Sequence, residues 1–407
     1  MTEPALFVAA DTPWPPDGGG RIATLRILEA MVTERPVDIV ALSDPQRPLD
    51  LSYLRSICRR VELVEHPFTF GRHRMRQVGV ALRSLASATP YRLRKFRSRA
   101  FSRRLEELKA SSMYQFIHHD QFGVAPYVDR RFPATLTTHN VESEIYRLGS
   151  RGAMGILRRS WAAVEAAKLQ RVEPALCRRF DTVFVLSHHD AGLLESLGVH
   201  GPRVLPIPVD ADPVPPASNP PGRKLLTIGS MSWFGVEDGL LWFHDQVLPK
   251  IWAAVPDAEW HLVGPGAGPR IQALADGERV ILHGYLPDAD PVIAGSRVCV
   301  VPLHVAGGVR IKLIEMLARG LPCVATEVGA QGLGFADGEG VFRRDDPAAF
   351  AQAVIRLLCD EDMWRTTSLR GWQYVRDKHT RDATAAALEE GIEIALRRHA
   401  DRGRRGG

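Results

Sequence analysis

Apolar residues in the first half of the chain fall in short runs, separated by segments with a period near four. The runs are ALFVAA (5–10), VDIVAL (37–42), VELVE (61–65), MYQFIHHD (113–120), ATLTTHNVESEIYR (134–147, ending in a polar loop) and DTVFVLS (181–187). Short runs apolar on both faces are what strands of a helix-covered parallel sheet require. Between them the periodic segments predict helices through about Met31, from near Leu49 to Arg59, and from roughly Ala153 to Arg179. In SHHDAGLLESLG, Ser187 has the position of an N-cap and Asp190 lies in the first turn, which accounts for both without a functional role. The second half keeps the rhythm. LLTIG (225–229), EWHLVG (259–264), RVILHGYL (279–286) and VCVV (298–301) alternate with helical patterns near Val236, from Asp288 to Ala294 and from Val309. The expected fold class is α/β, two Rossmann-like doubly wound parallel-sheet domains.

Proline recurs from Pro206 to Pro221 and nothing apolar is periodic after Val214, so 206–223 reads as a linker. It divides the chain into domains 1–205 and 224–380, in keeping with two cores of about 200 residues each. The stretch from Glu361 to Arg398 is helical, interrupted near Asp377 to Arg381, and the terminal DRGRRGG is expected to be disordered.

From Arg297 to Thr326 the chain reads RVCVVPLHVAGGVRIKLIEMLARGLPCVAT. This is strand, loop, helix, strand, with Gly308 at the start of the helical pattern and Gly320 just past its end. Arg310 and Lys312 occupy the first turn, although the macrodipole there favours anions by roughly 0.3 to 1 kcal/mol per charge. Two readings follow. Backbone N–H groups behind Gly307 and Gly308, with the two cations, form a phosphate cradle into which Glu315 looks, because Lys312, Glu315 and Arg319 share a face. Alternatively the face is solvated and Lys312–Glu315 is an ordinary surface pair. Gly229, Ser230 and Met231, after the first strand of this domain, could add further N–H groups. No acidic cluster with metal-ligand character accompanies these residues, so no metal cofactor is expected.

In open α/β sheets ligands bind beyond the carboxyl ends of the strands. His118, Asp120, His139, Asn140 and Glu142 are placed there, against the general tendency of a lone histidine to be structural. In DTPWPPDGGGRIAT, Gly19 and Gly20 permit close approach of a ligand and Arg21 could meet an anion, although this is not the dinucleotide fingerprint. His188 and His189 are further candidates. The five cysteines lie singly in apolar contexts without metal-ligand spacing and are expected to be buried thiols of a reducing compartment. The N-terminal apolar run lacks a basic flank and reads as a strand instead of a cleaved leader.

Net charge is +5, yet between His66 and Leu105 there are 11 Arg or Lys residues and no Asp or Glu, so the remainder is net negative. The tract, Arg72 to Arg104, interleaves its cations with aromatic and aliphatic residues. That pattern suits an anionic membrane surface; its bland counterpart is a solvated Arg-rich helix pair. No base-reading motif is present, and nucleic acid is not expected as a partner.

GGVRIKLIEMLARGLPCVAT resembles the donor-nucleotide signature of glycosyltransferase family four, the retaining GT-B enzymes that use activated sugars. The resemblance implies that Glu315 holds the nucleotide ribose, that Arg310 and Lys312 face the diphosphate, and that two domains face a cleft. Such families usually carry an earlier glutamate where this chain has Gly307, and a subset with Gly-Gly-x-Arg-x-Lys-x-x-Glu is similar to this sequence. THNVES is similar to a family segment whose histidine faces the donor sugar, which implies that role for His139. PPxxGGxR borders the cleft in the family, as the loop of Gly19, Gly20 and Arg21 would here, and the equivalent of HGYLP cups the base, pointing to Tyr285 within 284–286. Gly229 to Ser232 and Val309 complete the implied donor loops. Stretch 381–407 is expected to return to the N-terminal domain, with Trp364, Trp372 and Tyr374 as packing residues.

The activity implied is metal-independent, retaining transfer of a sugar from a nucleotide-diphosphate sugar to a hydroxyl, in glycan, polysaccharide or glycolipid biosynthesis. The acceptor would be a glycan, a lipid-linked glycan or a small molecule, and the setting cytoplasmic or peripheral on the inner face of the membrane. Glycosylation of a soluble secondary metabolite, sugar-nucleotide epimerisation and non-catalytic nucleotide-sugar binding are the alternatives.

Overall fold

In the computed structural model the described residues are 3–406 except 17, 46–49, 69–72, 152–154, 211–219, 221, 233 and 306. Arg72, most of the 206–223 linker, and the expected helix starts at Leu49 and Ala153 therefore lie outside the described residues. The chain forms two compact units, residues 1–207 with 381–407, and residues 208–380.

The first unit holds strands β1 (Ala5–Ala9), β2 (Val37–Ser43), β3 (Arg60–Glu65), β4 (Ile117–Asp120), β5 (Ala134–Thr138), β6 (Thr182–Val185) and β7 (Arg203–Val204). They pair in parallel in the order β3-β2-β1-β4-β5-β6-β7. Every residue of β1, β2, β4, β5 and β6 is buried, so an unbroken apolar run in the sequence marks a strand covered on both faces. The second unit holds β8 (Lys224–Ile228), β9 (Glu259–Val263), β10 (Val280–Gly284), β11 (Val298–Val301), β12 (Cys323–Ala325) and β13 (Val341–Arg343), ordered β10-β9-β8-β11-β12-β13 and again parallel. In each sheet the strand order reverses once, between β1 and β4 and between β8 and β11. Those switch points are where an open α/β sheet accepts a ligand.

Local chemistry sets the helix starts. Ser187 Oγ accepts from the Asp190 N–H at 3.0 Å, and Asp346 Oδ1 from that of Ala349 at 2.8 Å. The long helix expected over 153–179 is observed as Ile156–Cys177, preceded by a separate helix, Glu142–Arg151. The helix Glu361–Lys378 belongs to the second unit, where the Trp364 indole donates to the Arg297 carbonyl at 2.8 Å and Tyr374 packs on Phe335.

The helix Arg381–Gly406 belongs to the first unit instead. Thr182 Oγ1 donates to the Gly391 carbonyl at 2.9 Å, and Arg402 reaches Asp181 Oδ1 at 2.5 Å. The terminal DRGRRGG, expected to be disordered, thus continues this helix through Gly406, anchored by Arg402 on a buried carboxylate. Four cysteines are buried as expected; Cys359 is exposed, because it ends the helix Pro347–Cys359. Among the described residues no helix is long and apolar enough to cross a membrane.

Candidate functional site

Two groups of side chains gather at the two switch points, one in each unit. In the first, the chain leaves β1 and enters the helix Gly19–Val32, whose N-terminus has no side-chain cap and no acid in its first turn. Arg21 is held by Asp11, its Nε donating at 2.7 Å.

Asp120, the last residue of β4, is completely buried and takes two hydrogen bonds. Thr24 Oγ1 donates to its Oδ2 at 2.5 Å, and His139 Nε2–H to its Oδ1 at 2.9 Å. A carboxylate only accepts, so Nε2 carries a proton, and in the neutral ring the lone pair lies on Nδ1. Nδ1 is buried with no hydrogen-bond partner among the described residues, and a Cβ built on Gly20 would lie 4.0 Å from it and 3.7 Å from Gln121 Nε2. The absent side chain at Gly20 is what leaves the space before Nδ1. Gln121 has a φ of 71°, a left-handed conformation uncommon for a residue with a side chain, and its amide lies 3.5 Å from Thr24 Oγ1.

Not every candidate of this unit joins the group. His118 is fully buried, with ring nitrogens 2.9 Å from Thr135 Oγ1 and 3.3 Å from Thr137 Oγ1. It is a core histidine, two residues back along β4 from the strand end, and its burial holds it near pKa 4, neutral in the folded chain. The expectation that it meets an acceptor is corrected accordingly. Glu142 pairs with Arg92 at 2.9 Å, Asn140 is half-buried beside His139, and His188 and His189 are exposed.

Thr24, Gln121 and Glu173 were not singled out from sequence. Glu173 is completely buried and accepts the N–H groups of Glu142 at 2.7 Å and Ser143 at 3.0 Å, which pins the segment after His139. Burial pushes its carboxyl up to about 7 despite those donors.

In the second unit, Gly229 follows β8 with φ 142° and donates its N–H to the Val263 carbonyl at 2.9 Å. Met231 is buried and donates to the Pro265 carbonyl at 2.8 Å, while Ser230 is exposed with its hydroxyl 2.9 Å from that of Ser232. Those two amides are therefore engaged in the fold.

After β11, Gly307, Gly308 (φ 70°) and Val309 lead to Arg310, the uncapped N-terminal boundary of the helix Ile311–Ala318, which has no acid in its first turn. Arg310 Nη1 donates to the Gly307 carbonyl at 2.8 Å, tying the guanidinium to the glycine loop. Lys312 Nζ donates to Glu315 Oε2 at 2.8 Å, so the surface-pair geometry is present, and Arg319 turns away to Asp290 at 2.6 Å. Tyr285, past Gly284 at the end of β10, is 69% exposed. Among the described residues no group of three His, Cys, Asp or Glu side chains is arranged to hold a metal ion.

Residues 222–360 match the model of the family described as Glycosyl transferases group 1. The chain is 20% identical over 390 residues to an uncharacterized 44.6 kDa protein in the cps region of Klebsiella pneumoniae, covering 92% of this chain and 96% of that protein. Its fold is similar to that of HepE from Anabaena in complex with UDP and glucose, with TM-score 0.62 and 13% identity over 96% of this chain and 100% of that one. It is also similar to S. aureus TarM in complex with fondaparinux, alpha-GlcNAc-glycerol and UDP, with TM-score 0.67 and 11% identity over 97% of this chain and 100% of that one. The architecture is that of GT-B glycosyltransferases, two Rossmann-like domains. Over residues 222–360 the chain is thus similar to the glycosyl transferases group 1, and it is a glycosyltransferase.

Proposed function

We propose that the chain transfers a hexose from a UDP-sugar to a hydroxyl of a growing glycan, with retention of anomeric configuration. The observation that carries this reading is the helix Ile311–Ala318. Its first turn is uncapped, free of acids and flanked by Arg310 and Lys312, an arrangement complementary to a diphosphate. Arg310, Lys312 and the helix amides would stabilise the leaving diphosphate, with no metal required. Glu315 would leave Lys312 to accept from the ribose hydroxyls, and exposed Tyr285 would lie against the base, with Gly229, Ser230 and Met231 lining the donor loop. His139, oriented by Asp120, would present Nδ1 to the donor sugar.

The neighbours in complex with UDP support this nucleotide, and the relative in a cps, or capsule polysaccharide, region supports a polysaccharide acceptor. A lipid-linked acceptor at the inner membrane face would bring the basic tract into use. The test is incubation with UDP-hexoses, with and without glycan acceptors, followed by product analysis and determination of the anomeric configuration. Retained configuration in a new glycosidic bond is expected. Donor epimerisation without transfer, or no turnover of any donor, would remove the proposal.

A further inference from the structure

The helix Arg74–Leu85 is built inside out. Its buried side chains are the polar Gln77 and Ser84, while Met75, Val78, Leu82 and Leu85 are 86%, 40%, 62% and 48% exposed. At helical spacing these four share one arc of roughly 80°, turned about 120° from Gln77 and Ser84. Exposed Arg76 and Arg83 flank one edge of the stripe and exposed Arg74 the other.

Rotation of the helix cannot bury the stripe, because the polar face is fixed by its partners. Gln77 Nε2 donates to the Pro67 carbonyl at 2.8 Å, Tyr91 Oη donates to Gln77 Oε1 at 3.0 Å, and Ser84 Oγ donates to Glu165 Oε1 at 2.9 Å. Tyr91 also packs on Trp161, and Lys168 Nζ donates to the Ser84 carbonyl at 2.7 Å. Ser84 is thus tied directly to Glu165 and Lys168 of the helix Ile156–Cys177, and Gln77 reaches Trp161 of that helix through the Tyr91 ring. At the N-terminal end of the helix Ile156–Cys177, Ile156 and Leu157 are 79% and 84% exposed beside exposed Arg158 and Arg159. Single exposed leucines are ordinary, but a stripe of four with two more on the neighbouring helix marks an interaction surface.

Further along the basic tract the charges are partly committed inside the domain. Arg92 pairs with Glu142, Arg94 with Ser87, Arg104 with Glu62 and Glu107, and Lys95 lies over the Phe96 ring.

We propose that the exposed face of Arg74–Leu85, with the start of Ile156–Cys177, docks on an anionic lipid bilayer. Met75, Leu82 and Leu157 enter the acyl boundary while the flanking guanidinium groups stay among the head groups. Charge selects this occupant. A second copy across a two-fold axis would set Arg74, Arg76 and Arg83 against their own kind with no acid on the helix, and a nucleic acid would leave the apolar stripe in water. The inference deepens the lipid-linked acceptor reading without depending on the donor chemistry, because vesicle binding and UDP binding are separate readouts.

The experiment is sedimentation of the full chain with phosphatidylcholine vesicles, with and without phosphatidylglycerol. The variants are Met75→Asp with Leu82→Asp, and Arg76→Glu with Arg83→Glu; all four positions are exposed, and a melting curve checks that each variant folds. Binding roughly tenfold or more stronger to the anionic vesicles is expected, falling to the neutral-vesicle level in both variants. Equal pelleting with both vesicle types, no pelleting, or variants that bind like the parent would overturn the proposal. So would a concentration-dependent dimer abolished by the same substitutions, which would assign the face to a second copy.

Discussion

His139 Nε2 donates to Asp120 Oδ1 across 2.9 Å, and Asp120 is held from its other side by Thr24. The carboxylate thereby fixes which ring nitrogen is free. In Asp120→Asn the side-chain amide can donate, which favours the opposite tautomer and removes the Nδ1 lone pair. For a group acting on the donor sugar, kcat should fall by about 10² to 10⁴ with little change in donor KM. Steady-state kinetics with a donor titration checks this; an unchanged kcat in a folded variant would remove His139 from the reaction.

Gly20→Ala separates stability from activity. The new methyl meets its neighbours at ordinary van der Waals distances, and alanine in a helix is favoured over glycine by about 0.8 to 1 kcal/mol. The melting temperature should rise slightly while activity drops, because the methyl occupies the space before His139 Nδ1. Equal or higher activity would show that nothing enters there.

Gly264→Ala should be damaging. Its Cβ would sit 1.8 Å from the Gly229 carbonyl oxygen, and φ is 142°, so both the contact and the backbone oppose a side chain. A loss of about 3 kcal/mol or more in urea unfolding is expected, with weakened UDP binding through displacement of the Gly229 loop. A variant within about 0.5 kcal/mol of the parent would contradict the close approach.

Glu173 titrates in a usable window. Its carboxyl is raised from the ordinary 4.5 to about 7, so the folded chain holds this proton more tightly than the unfolded chain. The stabilising contribution is full below the unfolded value and is lost as pH rises through 7, amounting to roughly 3 kcal/mol across the window. His118, lowered from 6.5 to about 4, acts oppositely, and its contribution is lost as pH falls toward 4. Glu173→Gln removes only the first effect. The stability of the variant relative to the parent should therefore improve between about pH 5 and about pH 8, measured as urea midpoints. A difference independent of pH would mean that Glu173 does not titrate there.

The strands and the 297–326 motif were legible because burial on both faces imposes unbroken apolar runs, and glycines mark helix ends wherever they stand; the switch points depend on strand order, which no local pattern carries. What escaped notice depends on long-range partners. Thr24 meets Asp120 across 96 positions and Arg402 meets Asp181 across 221, and no local pattern announces either pair. His118 was misplaced for a different reason. It shares a strand face with Asp120, but being two residues further back puts it about 6.6 Å deeper, in the core.

The proposed activity rests on the loop and helix from Gly307 to Glu315 holding a nucleoside diphosphate. Thermal melting of the chain with UDP, GDP, ADP and dTDP, repeated on Arg310→Ala and Glu315→Gln, tests it directly. A ligand at about 100 times its Kd adds roughly 2.7 kcal/mol, which a melting curve resolves. UDP should stabilise the parent and lose most of that effect in both variants. No stabilisation by any of the four nucleotides, or full stabilisation retained in both variants, would contradict it.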